Sequence, residues 1–256
     1  MFRYALVRPP GPNFADGLTT AGLGRPDLDR ALAQHAAYCE ALEDCGLSLT
    51  RLDPDKRHPD STFVEDTAVL TGRRAILTRP GAPSRRGEVP PVREPLAGHF
   101  AEFRSISEPG TLDGGDICEA DGHFLIGISR RTNEAGAREL AALLAEESCT
   151  SAFIDIRDIQ GILHLKSGIA YLGDRRIAVI ESVASHPALR GYEVVAVDPA
   201  EAYAANCVRV NDGILVAAGH PRFESALRRL RYDVVPLEMS EFEKMDGGLS
   251  CLSLRF

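Results

Sequence analysis

Residues 67–78 read TAVLTGRRAILT, and residues 169–180 read IAYLGDRRIAVI. In each, two short apolar runs flank a Gly-Arg-Arg or Gly-Asp-Arg-Arg turn. The first runs Val69-x-TGRR-x-Ile76 and the second Ala170-x-LGDRR-x-Ala178. Short runs bounded by Gly and Asp read as strands, and two of them around a glycine turn read as a hairpin. The hairpins are predicted to join Thr67–Leu70 to Arg74–Thr78 and Ile169–Leu172 to Arg176–Ile180. Similar single runs are Tyr4–Val7, ended by Pro9 and Pro10, Ser48–Leu52, His123–Ile128, Gly213–Ala217 and Asp233–Pro236.

Helical periodicity lies between these runs. Asp27–Cys45 carries Leu28, Leu32, His35, Ala36, Cys39 and Leu42 on one stripe, and Gly46 follows as a C-terminal cap. Asn133–Glu147 opens on a Thr-Asn cap and holds Ala137, Leu140, Ala141 and Leu144 on one face. Pro221–Leu230 turns Phe223, Ala226, Leu227 and Leu230 inward, and short helices are predicted near His99 and Glu241. Strand pairs therefore alternate with single helices along the chain. Such a pattern predicts an α/β fold of repeated β-β-α-β units set radially, rather than a doubly wound parallel sheet. Residues Pro80–Pro95, rich in Pro, Gly and Arg, read as a mobile surface loop that could act as a lid.

Composition narrows the function classes. The chain has 256 residues, 44% hydrophobic and 26% charged, ordinary for a globular protein and enough for one large domain or two small ones. A net charge of −8 disfavours a nucleic-acid partner and mildly favours a cationic ligand. No apolar run approaches the roughly 20 residues of a membrane span. The N-terminus, MFRYALVRPPGPNF, has no apolar signal core. The expectation is a cytoplasmic protein with no membrane partner. None of the six cysteines forms a C-x-x-C pair, which disfavours a zinc knuckle or thioredoxin-type site and leaves reduced thiols.

Five segments carry more polar chemistry than their surroundings explain: PDSTFVEDTAV (59–69), GTLDGGDIC (110–118), SRRTN (129–133), LHLKSG (163–168) and EKMDGGLSCLSLRF (243–256). In the last, Cys251 follows an Asp-Gly-Gly turn, which suits either a thiol at the mouth of a site or a buried one in a terminal strand. His164, between two leucines, is either a core histidine or a group able to exchange protons near neutral pH. Asp113 and Asp116 flank a Gly-Gly pair. They suit a turn closed by side-chain-to-backbone bonds, or a carboxylate that orients His164. Glu65 and Asp66 stand side by side. A buried carboxylate there needs a cation, either a protein arginine or a substrate guanidinium whose planar fork matches it. Arg85, Arg86 and Arg131 are surface residues or a clamp for a substrate carboxylate.

Taken together and in order, FVED, GTLDGGD, the RTN stretch, LHLKSG, AANCVRVND and DGGLSCLSLRF resemble the dimethylarginine dimethylaminohydrolase family of the pentein, or guanidino-group-modifying, superfamily. The resemblance runs from near residue 1 to Phe256 and implies a single catalytic domain over 1–256. It implies a five-bladed, pseudo-symmetric α/β propeller of ββαβ units around a central site. The implied reaction is hydrolysis of N-methylated L-arginine to L-citrulline and an alkylamine, through a covalent thiouronium on cysteine. No metal or organic cofactor is implied, and the partner is a small guanidino substrate. A homodimer is expected where strand edges stay apolar and exposed. By motif, Cys251 resembles the nucleophile, His164 the acid and base, and Asp113 the carboxylate that positions it. Glu65 and Asp66 resemble the guanidinium-binding pair, lined by Asp60 and Leu18. Arg85 and Arg131 resemble the α-carboxylate clamp, with Arg86 as the neighbour that could replace Arg85. The Met245 carbonyl would take the α-amino group. Arginine and agmatine deiminases are the alternatives within the enzyme class. A non-catalytic ribosome anti-association factor shares the propeller, but that reading predicts no Cys-His-carboxylate set.

Overall fold

The computed structural model describes residues 1–256. The first unit holds β1 (Tyr4–Val7), α1 (Leu28–Asp44) and β2 (Ser48–Arg51). The second holds β3 (Ala68–Leu70), β4 (Arg74–Leu77), α2 (Pro90–Ala97) and β5 (Glu102–Ser105). The third runs β6 (Ile117–Ala120), β7 (His123–Ile128), α3 (Glu134–Ala145) and β8 (Thr150–Asp155). The fourth runs β9 (Ile169–Gly173), β10 (Arg176–Ile180), the single turn α4 (Glu181–Ala184) and β11 (Glu193–Val197). The fifth runs β12 (Val208–Val210), β13 (Gly213–Ala217), α5 (Pro221–Arg229) and β14 (Asp233–Leu237). After α6 (Ser240–Glu243), the terminal strand β15 (Ser253–Arg255) pairs antiparallel with β1. The two ends of the chain thus complete the first unit.

Each unit is a three-stranded sheet in which the first strand is antiparallel to the second and the third parallel to it. A parallel neighbour needs a crossover, and the helix of each unit supplies it. Both hairpins of the opening segments form, with Val69 opposite Ile76 and Ala170 opposite Ala178. The turn of the second places Asp174 and Arg175 at φ 50° and 59°. Two successive left-handed residues match the right-handed twist of a two-stranded ribbon. No helix is long and apolar enough to cross a membrane.

The apolar interior lies between the units, in four clusters. Leu140 and Leu144 of α3 are fully buried against Val69 and Ile76 of the neighbouring sheet. Burying one such leucine contributes about 1.5–3 kcal/mol. Asn133 caps α3 by accepting from the Gly136 N–H, and Asp27 caps α1 from the Arg30 N–H.

The structure corrects two expectations. In α1, Leu32 and Ala36 of the expected stripe are exposed, and Ala31, Gln34 and Tyr38 are buried beside His35, Cys39 and Leu42 instead. Pro80–Pro95 is no open loop: Pro83–Glu88 forms a 3-10 helix that leads into α2, and Arg85 and Glu88 are buried in it. Pro83 and Pro90 sit at first helical positions, where the missing N–H costs nothing. Two of the prolines that suggested a loop are helix starts, and Pro95 lies inside α2.

A short 3-10 turn precedes the first strand of every unit: Val64–Thr67, Gly114–Asp116, Leu165–Ser167, Pro199–Ala205 and Ser250–Leu252. Adjacent turns touch one another, and Asn206 closes the set by accepting the Ser250 N–H at 2.9 Å. Pseudo-symmetry therefore brings equivalent positions of all five repeats to one place.

Candidate active site

Glu65 and Asp66 lie within the first of these turns. Asp113 and Asp116 bracket the second, and His164 leads into the third, which carries Lys166. Asn206 ends the fourth, and Ser250 and Cys251 lie in the last. All but Lys166 are buried. The glycines between them permit the approach. A Cβ at Gly114 would collide with the Glu65 carbonyl, and one at Gly115 would lie 2.8 Å from His164 Nδ1 and 2.9 Å from Asp66 Oδ1. Gly247 and Gly248 face the Phe63 ring and the Asn206 amide in the same way. These pairs serve close packing rather than a sharp bend.

His164 Nε2 lies 3.0 Å from Asp113 Oδ2, while Asp113 Oδ1 accepts the Gly81 N–H at 2.8 Å. Asp116 accepts the Leu165 N–H at 2.9 Å and the Ser129 hydroxyl at 2.7 Å. It fixes the backbone beside His164 and the loop that carries Arg131 at once. Burial pulls the His164 pKa down, but Asp66, Asp113 and Asp116 outweigh it and raise it to about 9. The imidazole is therefore an imidazolium at neutral pH. Burial, and then the Glu65 and Asp66 carboxylates, push the Cys251 thiol up to about 12. In the free protein the nucleophile candidate is a neutral thiol.

Asp66 is ionised. Burial opposes its charge, but His164, Arg85 and the Gly115 N–H hold its pKa down at about 2. Its Oδ2 takes Arg85 Nη1 at 2.6 Å and its Oδ1 the Gly115 N–H at 2.8 Å. Burial raises the Asp60 pKa, and Arg85 and the Leu18 N–H, 3.0 Å from Oδ1, oppose it. Leu18 itself is exposed, on a segment tied down by Thr20 to Asp246 Oδ2.

The two arginines differ. Arg85 is buried and donates to Asp66, to both oxygens of Glu88, and to the carbonyls of Asp60 and Phe63. Its fork is committed within the protein, which leaves at most an N–H of Nη1 for a ligand. Arg86 bonds only the Pro80 carbonyl. Arg131 makes no ion pair, and its Nη1 is buried without a hydrogen-bond partner. An uncompensated guanidinium fits a carboxylate ligand. Glu65 is also engaged: Oε1 takes Lys166 Nζ at 2.5 Å and Arg255 Nη2 at 3.5 Å, and Oε2 takes the Ser250 hydroxyl at 2.8 Å. Met245 is buried, its methyl group against Gly17. A cleft of ≈ 890 Å³ opens beside these turns, walled by Thr20, Leu23, Leu163, Ser167, Asn206 and Gly247 among others.

Asp66, Asp113 and His164 present ligand atoms within 4.8 Å of one another, a spacing a metal could use. Each atom set is already hydrogen-bonded, and a cation there would displace the imidazolium. Lys166, Asn206 and Ser250 were the residues to which sequence motifs gave no role. Their common signal is position, just before the first strand of a repeat.

The comparisons agree with this geometry. The chain is 41% identical over 257 residues to the N(G),N(G)-dimethylarginine dimethylaminohydrolase of Pseudomonas aeruginosa, covering 100% of each. The chain belongs to the dimethylarginine dimethylaminohydrolase family. A solved structure of the Pseudomonas enzyme, a cysteine-to-serine mutant complexed with citrulline, superposes with a TM-score of 0.97 over 100% of both chains. Another solved dimethylarginine dimethylaminohydrolase, a histidine-to-glycine form in adduct with S-methyl-L-thiocitrulline, gives 0.96 over 100% of both chains. No family model matches the chain. The fold is thus the radial set of β-β-α-β units that the hairpins and helices predict, with the five units that the resemblance implies.

Proposed function

We propose that this protein hydrolyses N-methylated L-arginine to L-citrulline and methylamine or dimethylamine, as one catalytic unit over the whole chain. The observation that carries the proposal is the buried His164–Asp113 pair beside an ionised Asp66 that also faces the buried Cys251 thiol, with an unpaired guanidinium at Arg131. Asp66 and Asp60 take the cationic guanidinium end of the substrate, Arg131 takes its carboxylate with the remaining N–H of Arg85, and the Met245 carbonyl takes its ammonium. Glu65 serves the nucleophile, because its oxygens are held by Lys166 and Ser250.

The charge pattern makes the thiol conditional on substrate. In the free protein two carboxylates oppose a thiolate. A bound guanidinium sets one positive charge against Asp66 and offsets that carboxylate's effect, so the thiol loses its proton to solvent once substrate is in place. The thiolate attacks the guanidinium carbon. His164, already protonated, gives its proton to the departing amine and leaves a thiouronium on Cys251. The neutral imidazole then takes a proton from water and the hydroxide adds to the same carbon. Collapse breaks the C–S bond, expels the thiolate and passes the hydroxyl proton to it, which leaves citrulline and the thiol. Citrulline is uncharged at that end and loses its hold on Asp66.

A citrulline and amine assay with asymmetric dimethylarginine, monomethylarginine, arginine and agmatine tests the reading. Turnover of the methylated arginines is expected. Turnover of arginine or agmatine alone would overturn it.

A further inference from the structure

We propose that Lys166 is a positioning residue that ties the proton-transfer segment to the nucleophile segment through Glu65 and Ser250. The proposal rests on the reading of Cys251 as nucleophile and names the device that holds it in register.

The geometry is a chain of short contacts across three repeats. Lys166 lies two residues after His164, in the same 3-10 turn. Its ammonium meets Glu65 Oε1 at 2.5 Å. Glu65 Oε2 takes the Ser250 hydroxyl at 2.8 Å, and Ser250 immediately precedes Cys251. The Ser250 N–H is held from the other side by Asn206 Oδ1 at 2.9 Å. The peptide that delivers the thiol is therefore gripped from two directions, and one grip leads back to the turn that presents His164. Arg255 also reaches Glu65, but at 3.5 Å and from the far end of the Ser250 segment. It cannot reproduce a link to His164.

Charge works in the same direction. The groups that face the Cys251 thiol are Glu65 and Asp66 from one turn, Lys166 from another, and Tyr203 from the turn at Pro199–Ala205. Lys166 is the cation among them, and it opposes the rise that the two carboxylates impose. A buried carboxylate beside a nucleophile is tolerable when a cation neutralises it and aims it. Glu65 alone would hold Ser250 but would also suppress the thiolate.

The test uses the full chain, and its first arm needs no substrate. The rate of carbamidomethylation at Cys251 by iodoacetamide is followed against pH, with the Cys251 peptide quantified by mass spectrometry so that Cys45 and Cys149 do not contribute. Lys166→Met is expected to lower the rate by about tenfold, the equivalent of one pKa unit, and to move its pH dependence upward. Lys166→Arg is expected to restore both. Ser250→Ala, which cuts the tether but keeps both charges, is expected to lower kcat for methylarginine while leaving the alkylation profile in place. An alkylation profile unchanged in Lys166→Met, with loss only of thermal stability, would overturn the proposal, as would an unchanged kcat in Ser250→Ala. If wild-type protein fails to turn over methylarginines while Lys166→Met still shifts the profile, the linkage stands and the proposed substrate does not.

Discussion

Replacing Asp113 by Asn should move the pH at which the enzyme loses its proton donor. Asp113 uses its two oxygens separately, Oδ1 for the Gly81 N–H at 2.8 Å and Oδ2 for His164 Nε2 at 3.0 Å. An asparagine that keeps the Gly81 bond must turn its NH₂ toward Nε2. A donor facing Nε2 selects the neutral imidazole, in which that nitrogen is an acceptor. Hydrogen bonds to charged groups contribute about 1.5–3 kcal/mol. At about 1.4 kcal/mol per pKa unit, the His164 pKa should fall by about one to two units. It should fall from about 9 toward neutrality, because Asp66 and Asp116 still face the ring. The basic limb of kcat for methylarginine, where the imidazolium is lost, should fall with it. At pH above the new limb the rate should drop by about 10²–10⁴-fold, the usual contribution of a placed general acid. The same group sets a stability window. A histidine whose folded pKa is raised stabilises the fold fully below its unfolded value of about 6.5, and that stability is lost as pH rises through about 9. In Asp113→Asn that contribution should be smaller, and its loss should be complete at lower pH. A basic limb that stays near its wild-type position, read together with an unchanged His164 titration by NMR, would refute the reasoning.

Three other outcomes are expected. Gly115→Ala places a methyl 2.8 Å from His164 Nδ1 and should cut kcat by more than it raises KM, with the fold retained by circular dichroism. Arg131→Met should raise KM for methylarginine while leaving that of a methylguanidine without a carboxylate unchanged, since Arg131 has no internal ion pair to lose. Cys118→Ser and Cys207→Ser should lower thermal stability, by about 1–3 kcal/mol each for a hydroxyl buried among apolar side chains, and leave the turnover of the folded protein intact.

The fold was readable where hairpins and amphipathic helices announce themselves, as at Val69–Ile76 and in α1 and α3. Strands β5, β6, β8, β11 and β12 escaped, because each is only three to six residues long and offers no sustained alternation of apolar and polar residues. The segment Pro80–Pro95 misled because proline opens helices as well as breaking them. At the site, the motifs located the cysteine, histidine and acidic pairs. They were silent on partnership: that Glu65 belongs to Lys166 and Ser250, and that Arg85 is locked to Asp66 and Glu88, depends on contacts between distant repeats. The equivalence of the five pre-strand turns is visible only once the units are stacked around an axis, because each turn carries a different residue type for a different task.

The most direct measurement is mass spectrometry of the acid-quenched protein during turnover of a methylated arginine. The account predicts a thiouronium adduct confined to the peptide carrying Cys251, absent together with turnover in Cys251→Ser. An adduct on another cysteine, or citrulline formation that survives Cys251→Ser, would contradict it.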